Sequence, residues 1–327
     1  MLAFVVRRLV QAAVVMTVVA FIAFSLFQYV GDPVLAMVGQ DATPAERQQL
    51  RTDLGLDQPF HAQFARFAAN ALRGEFGLSY RQSRKVSTLL RERLPATLEL
   101  SFAAAVLALA VGIPMGVYTA LRRRGLLSGL FLTVSLLGVS LPTFLIGILL
   151  IMLFAVQLGW LPSYGRGETV AIGWWTSGFL TLDGLRHLVL PAITLCLFQT
   201  TLIMRLVRAE MLEVLRTDYI RFARARGLTD RAVHFGHALK NTLVPVITIA
   251  GLQLGAIIAF AIITETVFQW PGMGLLFIQA VQGADIPVMA AYLCLIALLF
   301  VLINLAVDLL YFAVDPRLRL ERGAAAH

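Results

Sequence analysis

Side chains able to do chemistry are few in this sequence, and the usual patterns for nucleotides and metals are missing from it. The two lysines, Lys85 and Lys240, do not follow the glycines of a phosphate-binding G-x-x-x-x-G-K-[ST] loop, so the chain lacks the usual means of binding ATP. H-E-x-x-H, G-x-S-x-G and C-x-x-C are also missing. His234 and His237 lie three positions apart without evident further metal ligands. We therefore expect this chain to have no catalytic activity of its own and no cofactor or metal.

Three carboxylates fall within or beside apolar runs, where an ionisable side chain is costly and often functional. They are Glu99, Glu265 and Asp308. A proton-coupled or ion-coupled carrier would place such groups near the middle of the membrane, whereas these lie near the ends of their runs. There they can reach water or an arginine. The sequence favours a structural role for Glu99 and Asp308 and leaves both roles open for Glu265.

Amide side chains also interrupt the apolar runs. They are Gln199, Gln253 and Asn304. Together with Glu265 they are candidates for lining a polar path through the membrane. Each can equally well hydrogen-bond a neighbouring helix.

The apolar runs themselves identify the class of protein. Of 327 residues, 59% are hydrophobic and only 14% are charged, which is typical of a membrane protein. A bilayer core of about 30 Å needs about 20 apolar residues per helix, and six runs are long enough. They are Leu9–Tyr29, Ala96–Leu121, Leu126–Val156, Leu188–Val207, Leu243–Val267 and Pro287–Val314. We expect the third to tilt or kink at Gly138 and Pro142. The predicted fold is an all-α polytopic membrane protein with six transmembrane helices.

Basic residues set the expected orientation, because short cytoplasmic loops retain Lys and Arg. They precede the first run, follow the second and the sixth, and are concentrated between Arg205 and Lys240 after the fourth. All these places fall on one side of a six-span bundle. We therefore predict that both termini are cytoplasmic, which accounts for much of the net charge of +8.

The spans and loops divide the chain into four expected parts. Residues 1–30 are an N-terminal span, 31–95 an extracytoplasmic segment, 96–314 a core that includes a cytoplasmic loop at 208–243, and 315–327 a cytoplasmic tail. Within the extracytoplasmic segment, Phe60, Phe64, Phe67 and Ala71 recur at helical spacing. This amphipathic helix is expected either on the membrane surface or packed on the protein's own outer face.

The cytoplasmic loop contains TDYIRFARARGLTDRAVHFGHALKNTLVP, residues 217–245, which is polar and rich in arginine. Tyr219, Phe222 and Ala223 are predicted to share a helix face, Gly227 ends that helix, and Thr229 can cap a second one. Joining two spans needs only a few residues, so a hairpin of this length indicates docking to a cytoplasmic protein. Acidic residues interspersed with the arginines argue against nucleic acid as the partner.

The stretch DYIRFARARGL followed by HALKNTLVPVITIAGLQLG resembles the coupling loop of ABC-importer permeases, specifically the B-type permease of the dipeptide/oligopeptide (and nickel or glutathione) uptake family. Where the general importer pattern has Glu-Ala-Ala and then Gly, this sequence has Arg221, Phe222, Ala223 and Gly227, departures that are usual in the peptide branch. Eight further fragments in the same order, from VGDPV at 30–34 to NLAVDLLYFAVDPRLR at 304–319, extend the resemblance nearly end to end.

This resemblance implies a type I (MetI-like) importer permease with several partners in the bacterial inner membrane. The implied partners are a second, C-type permease, two ATPase subunits that bind ATP and Mg²⁺, an extracytoplasmic substrate-binding protein and a peptide substrate. The implied coupling residues are Tyr219, Arg221, Phe222, Ala223, Arg224, Arg226, Gly227, Leu228 and Thr229. Phe222 and Leu228 would fill a groove on one ATPase, and the arginines would pair with its acids. The extracytoplasmic segment would help seat the binding protein.

The alternative is a secondary carrier that moves a peptide or another solute on an ion gradient. Such a carrier would be expected to show carboxylates in the middle of the membrane and inverted repeats, and it would need no docking hairpin. A membrane sensor whose hairpin binds a signalling partner is a third interpretation.

Overall fold

The computed structural model describes residues 2–29, 34, 43–54 and 57–314, and this part of the chain is mostly helical. The helices are α1 (Leu2–Tyr29), α2 (Pro44–Leu54), α3 (Phe60–Leu72), α4 (Val86–Leu121), α5 (Leu126–Ser140), α6 (Thr143–Leu150), α7 (Leu182–Val214), α8 (Asp218–Ala225), α9 (Leu239–Val267), α10 (Met273–Gln282) and α11 (Ile286–Val314). The segments Ile151–Gln157 and Ala232–Ala238 are π-helical. Two short antiparallel strands are β1 (Val170–Ile172) and β2 (Trp175–Ser177). The predicted tail, 315–327, lies outside the described residues.

Five helices in the described ranges are long and apolar enough to cross a membrane. They are α1, α4, α7, α11, and α9 together with the π-helical segment before it. A sixth span is formed if α5 and α6 are two arms of one span, bent by 110° at the break between them. The prediction that the third run kinks is thus confirmed. Pro142 directly precedes α6. Proline lacks the N–H that a continuous helix would require there, which accounts for the break between α5 and α6.

The chain divides into two compact units. The first contains Met1–Thr97, Val170–Ser177 and Pro271–Val301, and the second contains Leu98–Thr169, Gly178–Trp270 and Leu302–His327. In the first unit, the phenylalanines of α3 pack against those of α1. The ring of Phe24 lies 5.1 Å from that of Phe60, 5.6 Å from Phe64 and 5.7 Å from Phe67. The amphipathic helix is therefore packed on the protein itself, the second of the two predicted arrangements.

In the second unit, α7 and α9 pack along each other, and α5 and α6 also contact α7. Glycines allow close approach of these helices, as is common in membranes. A Cβ atom at Gly116 would lie only 2.6 Å from Cβ of Val207. A Cβ atom at Gly251 would lie 2.5 Å from Cγ2 of Val307. The packing of this unit therefore depends on positions without a side chain.

Glu99 forms a buried ion pair in the second unit. Arg166 donates from Nη2 to Oε2 of Glu99 at 2.5 Å, and the backbone N–H of Gly178 donates to the same oxygen at 3.2 Å. Both charged side chains are less than a tenth exposed. Glu99 thus reaches an arginine, one of the two environments expected from the sequence, and this arginine comes from the loop between α6 and α7.

Candidate functional site

The predicted docking hairpin is a compact element, here called the hairpin segment (residues 217–238). Its first helix, α8, buries Ile220 fully and Ala223 almost fully. These two side chains lie three positions apart and therefore on the same helix face. That face is turned inward, and α8 contacts the π-helical segment Ala232–Ala238.

A neighbouring side of α8 is exposed and aromatic. Phe222 is 64% exposed and Tyr219 40%. Leu228, just after the helix, is 41% exposed. The sequence predicts Ala223 on the same face as Tyr219 and Phe222. Around the helix, Ala223 lies about 40° from Tyr219 but about 100° from Phe222, and it is buried where they are exposed, so that prediction holds only in part. Three large apolar side chains thus remain at the surface.

Gly227 ends α8 with a left-handed turn. Its φ of +78° lies in the region that favours glycine. The N–H of Gly227 donates to the carbonyl of Arg224 at 2.9 Å, and that of Leu228 donates to the carbonyl of Ala223 at 3.3 Å. These two bonds form a Schellman motif. Among the described residues, no atom lies within 4 Å of where a Cβ atom of Gly227 would be, so backbone conformation and not crowding requires the glycine.

The second helix of the hairpin segment begins directly after this turn. The hydroxyl of Thr229 accepts from the N–H of Ala232 at 3.3 Å, as predicted for a cap. The helix then continues from Asp230 through the π-helical segment Ala232–Ala238 into α9 without a break. The sequence indicates a separate second helix. In the structure this helix is instead the N-terminal end of the spanning helix that contains α9.

Tyr219 connects α8 to the start of α9. Its hydroxyl accepts a hydrogen bond from Nδ2 of Asn241 at 2.5 Å and faces the carbonyl of His237 at 3.5 Å. Asn241 was not identified from the sequence, because the two residues are 22 positions apart and no local periodicity relates them.

The arginines of α8 and the turn after it are exposed. Arg221 pairs with Asp218 at 3.1 Å, where both side chains lie mostly in solvent, so the pair contributes little to stability. The guanidinium of Arg226 lies 5.8 Å from the ring centroid of Phe222. Arg224 is also exposed. The surface around Phe222 is therefore both apolar and basic.

Two of the four candidate path residues lie together. Gln199 of α7 and Gln253 of α9 line a cavity of about 210 Å³ whose walls are otherwise almost wholly apolar. Gln199 is only 3% exposed, and its Oε1 atom has no hydrogen-bond partner among the described residues. Glu265, near the end of α9, is fully buried and does not line this cavity, nor does the half-buried Asn304 of α11.

Two known protein families match this chain, each over a different part of it. Residues 112–320 match the family described as binding-protein-dependent transport system inner membrane component, and residues 1–101 match the N-terminal family of such membrane components. The solved structure of the MetNI methionine ABC transporter in an inward-facing conformation is similar in fold, with a TM-score of 0.56 at 22% identity. The similarity covers 69% of this chain and 96% of that one.

Curated relatives match over nearly the full length. The di/tripeptide transport system permease protein DppB of Pseudomonas aeruginosa is 40% identical, over 98% of this chain and all of the relative. The dipeptide transport system permease protein DppB of Escherichia coli is 38% identical, over 98% of this chain and 99% of the relative.

Proposed function

This chain belongs to the family of binding-protein-dependent transport system inner membrane components, and from that premise we propose that it is the B-type permease subunit of an ATP-driven peptide uptake system. It is a multi-pass inner-membrane protein. The relatives named above are peptide permeases, which favours this function over a carrier driven by an ion gradient. The observation that carries the proposal is the hairpin segment, with its exposed aromatic face on a firmly packed helix.

The hairpin segment couples ATP hydrolysis to movement of the spans. α8 docks in a groove on one ATPase subunit, with Phe222 and Leu228 buried in the groove and the exposed arginines paired with acids at its rim. Exposed apolar surface of this kind is favourable to bury against a partner. Because the helix after Gly227 continues into α9, displacement of the docked hairpin moves a spanning helix directly.

The remaining parts of the transporter come from partner subunits. Two ATPase subunits supply the ATP and Mg²⁺ sites, and a second, C-type permease completes the translocation path. An extracytoplasmic binding protein delivers the peptide, with residues 31–95 helping to seat it. This arrangement requires both termini and the hairpin segment on the cytoplasmic side, as the loop charges indicate.

Gln199 and Gln253 are proposed to contribute polar groups to the translocation path. A peptide carries many N–H and C=O groups, and each must find a partner on its way through an apolar core. The unpartnered Oε1 atom of Gln199 in the cavity can accept from a passing N–H. Glu265 and Asn304 lie outside this cavity and would act at other levels of the path.

Cysteine crosslinking tests the docking of the hairpin segment. In the transporter purified with all its subunits, Phe222→Cys is expected to crosslink to an ATPase subunit that carries a cysteine in the facing groove. Leu72→Cys is the control, since Leu72 is 91% exposed but lies in the extracytoplasmic segment. Crosslinking of Leu72→Cys to the ATPase, or failure of Phe222→Cys at every groove position tried, would refute the proposed docking.

A further inference from the structure

A cleft of about 310 Å³ opens between α5 and α7 in the second unit. Leu132 and Leu136 of α5 form one wall, while Arg205, Arg208 and Leu212 of α7 contribute to the other. The cleft therefore combines an apolar wall with two guanidinium groups. It has no part in the cavity of Gln199 or in the hairpin segment.

The cleft lies beside a point where the two helices contact each other. There the hydroxyl of Thr201 donates to the carbonyl of Ser135 at 3.0 Å. A Cβ atom at Gly138 would lie 3.1 Å from Oγ1 of Thr201. The helices are thus joined at this crossing, and the cleft occupies the space between them on its side toward the end of α7.

The charge of the cleft is positive and uncompensated. Arg205 and Arg208 lie three positions apart, so they point to the same side of α7. Neither forms an ion pair with another of the described residues, and the cleft lining contains no aspartate or glutamate. Two adjacent guanidinium groups without a counter-ion favour an anion, and their planar forks fit a phosphate especially well.

The surroundings indicate that this anion comes from the membrane. Arg205 lies at the end of the apolar run of α7, where a spanning helix reaches the headgroup region. On α5, Leu130, Val134 and Leu136 are each about half exposed and form a surface suited to acyl chains. The turn before α5, with three arginines at 122–124, lies at the same end of the bundle.

We propose that this cleft binds the headgroup of an anionic phospholipid. Arg205 and Arg208 donate hydrogen bonds to the phosphate oxygens, and an acyl chain lies along Leu132 and Leu136. Basic pockets between spanning helices are suited to such headgroups, because the apolar and the charged parts of the lipid are satisfied at once.

Native mass spectrometry of the intact detergent-solubilised transporter tests this assignment without peptide or ATP, with phosphatidylglycerol and phosphatidylcholine as probes. Each basic residue near an anionic lipid is worth about fivefold in affinity. We expect wild type to prefer phosphatidylglycerol, and the double variant R205Q/R208Q to bind it about 30-fold more weakly. Binding of phosphatidylcholine should not change.

Two further double variants keep the test decisive. R122Q/R123Q removes the same charge outside the cleft and should keep the preference for phosphatidylglycerol. An equal loss in that variant would mean diffuse attraction to the surface and would overturn the proposal. R205K/R208K keeps the charge but lacks the planar guanidinium groups, so it should bind phosphatidylglycerol with intermediate affinity. This variant tests the site even if R205Q/R208Q does not assemble.

Three other outcomes would also overturn the proposal. The first is a wild-type transporter without preference between the two lipids. The second is displacement of phosphatidylglycerol by inorganic phosphate in excess, which would indicate an anion site that needs no lipid. The third is that R205Q/R208Q keeps the lipid but loses the second permease, which would make the cleft a protein contact.

Discussion

Gly227 sets the direction in which the chain leaves α8. Any other residue there must adopt a φ near +78°, at a cost of about 1–2 kcal/mol, although there is space for its side chain. We predict that Gly227→Val leaves the chain in the membrane but weakens the Schellman turn. Stimulation of ATP hydrolysis by peptide-loaded binding protein should then fall at least several-fold in the reconstituted transporter.

Gly236→Ala is the matched control for this change. Gly236 also belongs to the hairpin segment and also has open space around it, but its φ is not positive. It should therefore behave as wild type. If Gly227→Val were stimulated as strongly as Gly236→Ala, the turn would have no role in coupling.

The buried ion pair of Glu99 and Arg166 is expected to contribute more to stability than the exposed pair of Arg84 and Glu92. Removing one partner of a buried pair leaves an uncompensated charge and typically costs about 3–5 kcal/mol. Arg166→Met should therefore lower the melting temperature of the purified protein clearly. Changing both residues, as in E99Q/R166M, should recover much of the loss, because no charge remains buried.

Arg84 and Glu92 provide the comparison, since each is about half exposed. Exposed pairs contribute about 0–1 kcal/mol, so Arg84→Met should change the melting temperature little. The account of Glu99 as a structural residue would be wrong if Arg166→Met and Arg84→Met had equal effects, or if Glu99→Gln abolished transport without affecting stability.

At the scale of helices, packing of α4 on α7 depends on Gly116. Its missing Cβ atom would meet Cβ of Val207 at 2.6 Å and the carbonyl oxygen of Met204 at 2.8 Å. We predict that Gly116→Ala destabilises the protein by about 1–3 kcal/mol, because one backbone must move away from the other. Thermal unfolding in detergent measures the effect.

Gly129 of α5 offers the opposite case, since no atom of the part of the chain that the structure describes lies within 4 Å of its missing Cβ. Gly129→Ala should be neutral or stabilising by up to about 1 kcal/mol, as expected for alanine in a helix. If Gly116→Ala were as neutral or stabilising as Gly129→Ala, helix propensity and not close packing at Gly116 would govern the result.

The sequence was sufficient for the elements whose signals are local. Long apolar runs located the spans, Pro142 located the bend, and Gly227 with Thr229 located the end and start of two helices. Features that depend on distant residues could not be predicted this way. Arg166 as the partner of Glu99 and Asn241 as that of Tyr219 are examples, because nothing in the local pattern relates these positions.

The burial of Ala223 shows a different limit. Periodicity relates residues on a helix to one another, but it does not say which face packs inward. Either the face of Ile220 and Ala223 or that of Tyr219 and Phe222 was apolar enough to be buried. Only the packing of the second unit decides between them, and it leaves the larger side chains outside.

At the scale of the whole molecule, the translocation path and the source of energy belong to different subunits of the proposed transporter. The chain belongs to a family of membrane components of binding-protein-dependent transport systems, and in the proposed transporter the work of ATP hydrolysis enters through contact with another subunit. The hairpin segment is suited to that contact, because its exposed face is apolar and its second helix is continuous with α9. Energy from ATP would thus reach the spans mechanically.

Peptide uptake by proteoliposomes tests this central claim most directly. Vesicles with the complete transporter, external binding protein and internal ATP should accumulate peptide, and Phe222→Asp should abolish uptake while the subunits retain basal ATP hydrolysis. Phe222→Tyr, which keeps the aromatic ring, should retain most of the uptake. The account would be contradicted if Phe222→Asp transported normally, or if this chain alone accumulated peptide on a proton gradient.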